Sequence, residues 1–251
     1  MKNFQLSIFC LVVASPLFAS YCSPGKKTQR VVIIALDGIS VEGYQKANLP
    51  NLDKLIEGGV IFMDTRNVMP SVTLPNWTSH LTGSGPEQHG VVDNGWELTN
   101  YILSPVEKDD KGYYPSLFKI LKEQVPGVKT AFYYNWKNLI YPYNQTCFDE
   151  IAFEEADVHI GEFLEKLKAE GLYEETHFMF LSDHGGVGTG HGGVITTEME
   201  VPWAITGPGI KKGHTLSEPN NTVNTAASIS YLFNCEIPLS WTGEVPMSIF
   251  K

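Results

Sequence analysis

Three observations predict an α/β fold with a mainly parallel sheet sandwiched between helices. Residues 30–36 (RVVIIAL) are, after Arg30, an unbroken apolar run rich in β-branched side chains, the pattern of a strand buried on both faces. Strand-like and helix-like segments then alternate to the end of the chain, which implies parallel strands covered on both sides by helices. Glycine and proline punctuate the helical segments, with Gly58-Gly59 closing one and Pro75 opening the next.

In chain order, residues 49–57 read as a helix and 60–62 as a short strand. Residues 75–81 and 115–124 read as helices, and 130–134 as a strand. Residues 154–170 carry Val158, Ile160, Phe163, Leu164 and Leu167 at helical spacing. Strands at 177–181 and 201–206 follow, then a last helix at 222–233. No repeat or low-complexity segment interrupts them. The chain has 251 residues, which suits one domain, expected over residues 30–251. In such sheets ligands bind beyond the carboxyl ends of the strands, so the residues just after each strand carry the chemistry.

Composition narrows the function. Hydrophobic residues make up 43% and charged residues 18%, a globular rather than a disordered balance. The net charge of −10 argues against duplex nucleic acid, since the only basic pairs seen are Lys26-Lys27 and Lys211-Lys212. Small anionic substrates fit if bound metal reverses the local field. Residues 1–22 read as an export signal: Lys2, an apolar stretch from Leu6 to Ala14, then Pro16 and Ala19. The stretch is too short to span a bilayer. Cys22 just behind it leaves two exported forms open, a soluble one and one lipid-anchored to a membrane, at the periplasm or cell surface. Cys147 and Cys235 are available to pair in an oxidising compartment.

The strand at 30–36 runs into Asp37-Gly38, and the strand at 177–181 runs into Ser182-Asp183-His184-Gly185. A carboxylate and an adjacent Asp-His pair are ligands zinc accepts. Asp37 alone reads as readily as a helix cap. Thr73 stands at the start of the helix containing Pro75, where anions are favoured, and a metal-held hydroxyl there serves as a nucleophile. Its bland reading is an N-cap. Asn76, one turn on, is placed to donate to a phosphate oxygen. His191, between Gly190 and Gly192, reads as a metal ligand or as part of a plain loop. Trp96, Tyr133, Tyr134 and Trp136 are candidates for stacking on a base, and equally for core packing.

These motifs resemble the type I phosphodiesterase/nucleotide pyrophosphatase family of the alkaline-phosphatase-like superfamily. The resemblance runs through VVIIALDG (31–38), Pro50-Asn51-Leu52-Asp53 and Thr73-Leu74-Pro75-Asn76. It continues through Leu81-Thr82-Gly83, Pro86 to Val91, Asn94, Ser182-Asp183-His184-Gly185, Glu200 to Trp203, Gly207-Pro208-Gly209 and Trp241-Thr242-Gly243. It implies a zinc-dependent phosphoric ester hydrolase acting on phosphodiesters or nucleotide pyrophosphates through a phospho-threonine. Asp37, Thr73, Asp183 and His184 would hold one zinc ion, and His191 would belong to a second. Thr73 would be the nucleophile. Asn76, Asn94 and the Thr73 N–H would bind the substrate. His89 also matches, and its place beside Gly90 reads as a hydrogen-bonded turn. The sulfatase motif, Cys or Ser before x-Pro-x-Arg, is absent.

One departure stands out. Between the strand ending near Tyr134 and the helix beginning near Glu154, family members carry a further strand ending in Asp-x-x-x-His, which supplies two ligands to the second zinc. Residues 135–153 contain no such motif. Asp157 and His159 are no substitute, because two helical positions differ by about 200° around the axis. Asp149, Glu150 and Glu154 read as a solvated acidic run. A strand-and-helix unit is thus missing, and three outcomes follow: a one-metal site, ligands from elsewhere, or a degenerate, non-catalytic relative that binds phosphate ligands. Loss of a strand also threatens to expose apolar sheet surface.

Overall fold

β2 (Arg30–Leu36), the strand most strongly marked in the sequence, lies inside an eight-stranded sheet in a computed structural model that describes residues 8–14, 29–153, 160–216 and 218–251. The other strands are β1 (Ile8–Ala14), β3 (Gly59–Arg66), β4 (Lys129–Tyr134), β5 (Glu150–Phe153), β6 (Thr176–Leu181), β7 (Glu200–Thr206) and β8 (His214–Leu216). The helices are α1 (Val41–Lys46), α2 (Pro50–Ile56), α3 (Thr73–Thr82), α4 (Pro86–His89), α5 (Leu117–Gln124), α6 (Ile160–Ala169), α7 (Thr196–Met199) and α8 (Asn224–Leu232). The expected helices and strands are all found, within a few residues at their ends. For the helix expected at 154–170, residues 154–159 lie outside the described residues.

Alternation along β2 builds two cores. Val31, Ile33 and Ala35 face α3, α5 and α8, joined by Trp77, Leu117, Phe118 and Ile229. Val32, Ile34 and Leu36 face α2 and α6, joined by Leu52, Leu55 and Leu164. A strand with helices on both faces has no polar side, which is why its sequence is continuously apolar.

The strand order is β5-β4-β1-β2-β6-β7-β3-β8. The sheet is mixed rather than mainly parallel. β2/β6, β4/β5 and β3/β8 are parallel, whereas β7 runs antiparallel to both β6 and β3, and β1 antiparallel to both its neighbours. The pattern of apolar residues reports burial, not strand direction, so direction was not readable from it. The parallel pair that matters is β2/β6, because it sends two strand ends to the same edge.

The sheet is not left a strand short. β1 lies between β2 and β4, pairing Ile8 with Leu36 through Ala14 with Arg30 on one side and Cys10 with Tyr133 on the other. This run belongs to the stretch read above as an export signal; residues 1–7 and 15–28, including Cys22, lie outside the described residues. Cys147 and Cys235 are both free thiols, not a disulfide. Cys147 is buried beside Thr130, whose hydroxyl donates to the Cys147 carbonyl at 2.6 Å.

Asp149 is not part of a loose acidic run. It accepts from Lys122, from Lys129 at 2.9 Å and from the Thr130 N–H at 2.8 Å, tying α5 and β4 to the start of β5. Burial works against its charge, but the two lysines and the Thr130 N–H hold its carboxyl below the ordinary carboxylate range. A depressed carboxyl stabilises the fold above its unfolded pKa and loses that contribution as pH falls. Asp149→Asn should therefore cost about 1 kcal/mol at pH 7, and the gap should begin to narrow only below about pH 4, closing as melting is followed on toward the depressed folded value. A gap that stays constant with pH would contradict this account.

Candidate active site

The β2/β6 register pairs Arg30 with Thr176 and Ala35 with Leu181. Continued past the ladder, it sets Asp37 opposite Asp183. Two strands entering one edge in parallel thus bring together carboxylates far apart in sequence. Gly38, at φ +73°, turns the chain away immediately, and its N–H donates to Asp183 Oδ1 at 3.0 Å. Gly185 lets the loop pass under α7, where a Cβ would come within 1.9 Å of the Thr197 carbonyl oxygen.

The Asp183 loop is held from several sides. Ile39 N–H donates to Ser182 Oγ at 2.9 Å, and Asn67 Nδ2 donates to the Asp183 carbonyl at 3.2 Å. His184 gives its Nδ1 hydrogen to the Gly185 carbonyl at 2.8 Å, so Nε2 is left bare, the tautomer a metal ligand needs. That nitrogen lies 3.4 Å from Asp183 Oδ2 and 3.8 Å from Asp37 Oδ1. It also lies 3.2 Å from Thr73 Oγ1.

Thr73 is the first residue of α3, and the N-cap is Val72, so the capping reading of Thr73 does not hold. All ten residues of α3 are buried. A helix rich in Ser and Thr tolerates this because Thr78, Ser79 and Thr82 return their hydroxyl hydrogens to carbonyls four residues back, at 2.7–2.9 Å. The Thr73 hydroxyl and the Trp77 indole N–H both bond to Asp37. Asn94 accepts the Leu74 N–H at 2.8 Å and so sits at the same helix start.

Asp37, Asp183 and His184 form the one group among the described residues able to hold a metal ion, with ligand atoms within 4.8 Å of one another. The donor set fits a divalent cation. Asp183 is fully buried and its Oδ2 has no hydrogen-bond partner. Burial raises Asp37, against the pull of His184, His191, Thr73 and Trp77. Burial, then the neighbouring Asp37, raises Asp183 well above its ordinary range. Two carboxylates pressed together away from water call for a cation between them.

The structure separates the expected residues. Asp37, Thr73, Asp183, His184 and Asn94 converge. His191 reaches the rim only: its ring stacks on His184 with centroids 4.0 Å apart, and its Nδ1 lies 3.3 Å from the Ser71 carbonyl. Asn76 does not join them. Its wholly buried amide accepts from Val68 N–H and donates to the Val68, Pro70 and Val72 carbonyls. It braces the approach to Thr73 and has no hydrogen left for a substrate. His89 is the buried turn residue expected, accepting from Val91 N–H and bonding to Ser79. Trp96 is buried and stacks on Tyr101. Asp157 and His159 lie outside the described residues. Trp77, His80 and Asn67 were missed by sequence reasoning. The first two were detectable only as polar-tipped residues at i+4 and i+7 from Thr73.

The type I phosphodiesterase/nucleotide pyrophosphatase family matches residues 31–151, and the sulfatase family matches 151–235. A mouse (Mus musculus) ectonucleotide pyrophosphatase/phosphodiesterase family member 3 is 33% identical over 119 residues, 45% of this chain and 14% of its own length. A bovine (Bos taurus) bis(5'-adenosyl)-triphosphatase is 25% identical over 225 residues, covering 66% of this chain and 49% of its own. The chain thus spans half or less of the length of these relatives. In fold, it is similar to a phosphonate monoester hydrolase from Silicibacter pomeroyi (TM-score 0.62, 14% identity, 87% of this chain and 75% of that one). It is also similar to a 2-O GAG sulfatase (TM-score 0.64, 15% identity, 87% and 73%). Both are of the alkaline-phosphatase-like class. The chain is thus similar to the type I phosphodiesterase/nucleotide pyrophosphatase family over residues 31–151, and its fold is of the alkaline-phosphatase-like class.

Proposed function

We propose that this protein is a zinc-dependent phosphoric ester hydrolase that cleaves phosphodiester or nucleotide pyrophosphate bonds through a phospho-threonine. The observation that carries the reading is the convergence of Thr73 Oγ1 on the bare Nε2 of His184 at 3.2 Å, beside Asp37 and the unpartnered oxygen of Asp183. Asp37, Asp183, His184 and Thr73 would hold the zinc ion, which would supply a Lewis acid for the phosphate charge and for the hydroxyl. Thr73 attacks phosphorus as the leaving group departs, and water then hydrolyses the phospho-threonine. Asp37 and His184 Nε2 both lie beside the Thr73 hydroxyl as candidate proton acceptors. The Thr73 N–H at the helix start and the amide hydrogens of Asn94, whose Oδ1 is fixed by Leu74, hold the phosphate oxygens.

The described residues offer a single metal-binding group, so the reading is of one ion, with His191 at the rim as the remnant of a second site. The names of the relatives support small nucleotides as substrates, and the ectonucleotide relative's name supports an exported protein. No helix among the described residues is long and apolar enough to cross a membrane.

Calorimetric titration of the full chain with zinc tests the site. One equivalent should bind at pH 7.5. Protons compete for Asp37 and Asp183, whose folded pKa values are raised, so affinity should fall as pH drops through that range. In the metal-free chain the sign reverses. Carboxyls that bind protons more tightly folded than unfolded favour folding in acid, and that contribution is lost as pH rises. Zinc should therefore raise the melting temperature more at pH 8 than at pH 5. Absence of uptake would leave the non-catalytic alternative.

A further inference from the structure

We propose that His80 is a positioning residue for the metal site, setting the Asp183-His184 loop against Thr73 through a hydrogen bond to the Ser182 carbonyl. Thr73, Trp77 and His80 occupy positions i, i+4 and i+7 of α3, one face of the helix. Each reaches a different part of the site. Thr73 meets His184 and Asp37, Trp77 bonds to Asp37, and His80 Nε2 lies 3.1 Å from the carbonyl oxygen of Ser182, the residue before Asp183.

The polarity of this contact is fixed by its neighbours. Trp203 Nε1 can only donate, and it does so to Thr225 Oγ1 at 2.9 Å. The Ser182 carbonyl can only accept, so Nε2 carries the ring hydrogen and donates it there. Nδ1 of the neutral ring is then an acceptor, and Thr225 gives it its own hydrogen, 2.8 Å away. The relay therefore runs from β7 through α8 and α3 to the end of β6. His80 is fully buried against Trp77, with ring centroids 5.3 Å apart. Burial lowers its pKa to about 4, against the pull of the Ser182 carbonyl, so the ring is neutral and the direction of the relay persists at ordinary pH. Asn67 and Ile39 hold the same loop from the strand side, whereas His80 holds it from the helix bearing the nucleophile.

The inference rests on the zinc-site reading, and its test distinguishes the two. The probe is zinc alone, titrated into the full-length wild type, His80→Gln and His80→Asn, with metal-free melting recorded for each. A glutamine amide can place an N–H where Nε2 sits; an asparagine can replace only the Nδ1 acceptor. His80→Gln should bind zinc within about threefold of wild type. His80→Asn should lose about 10–100-fold, the usual effect of removing an outer-shell partner. Thr225→Val, which frees the His80 tautomer, should fall between them. A role in packing alone predicts that Gln and Asn behave alike, and equal affinities would overturn the proposal. A wild type that takes up no zinc would instead overturn the metal site, and the inference with it.

Discussion

Thr73→Ala should abolish hydrolysis of bis-p-nitrophenyl phosphate by the zinc-loaded chain, lowering kcat by at least about a thousandfold, while leaving the fold intact. The side chain lost is small, and the helix start does not depend on it, since the cap is Val72 and no side chain caps α3. Zinc affinity should fall only modestly, because Asp37, Asp183 and His184 remain. A folded variant that binds zinc yet does not turn over would place Thr73 in the chemistry. Unchanged turnover would mean that water attacks directly, and the phospho-threonine route would have to be given up. Thr73→Ser is the control: it keeps the hydroxyl and should retain a measurable fraction of the rate.

Removing residues 1–22 should destabilise the protein more than any point substitution discussed above. β1 is bonded on both edges, to β2 and to β4. Without it the sheet divides into a two-stranded piece, β5-β4, and a five-stranded piece, β2-β6-β7-β3-β8. Each unsatisfied backbone group costs about 1–3 kcal/mol when kept from water, against a total stability of about 5–15 kcal/mol for a typical domain. The chain beginning at Ser23 should melt at least about 10 °C below the full chain, or associate through its open strand edges. Equal melting temperatures would show that the sheet closes without β1. Cleavage as an export signal and residence in the sheet exclude each other in one molecule, so the N-terminal mass of the cell-derived protein tells which role the run serves.

Local sequence carried most of the elements and much of the site. Residues 31–36 had to be a buried strand because every side chain in them is apolar, and the α5 helix begins at a serine cap, Ser116, before an amphipathic run. Asp37 and Asp183-His184 were legible because each directly follows an apolar strand. Residue type alone marked them as candidate metal ligands, and their paired register then made them neighbours. What could not be read locally depends on who lies next to whom. Strand direction is invisible in an apolar run buried on both sides. The leader run gained a strand's role because β2 and β4 leave a place between them, and an apolar β-branched segment satisfies that place as readily as a translocation machinery. Asn76 matched the motif, yet the loop folded over it and took every hydrogen it has to give. His80 carried no motif at all. Its meaning comes from Trp203, Thr225 and Ser182, three residues more than a hundred positions away, which orient one ring between them. The chemical potential of a side chain is written in its type, whereas its assignment comes from long-range packing that decides which of its atoms remain unpaired.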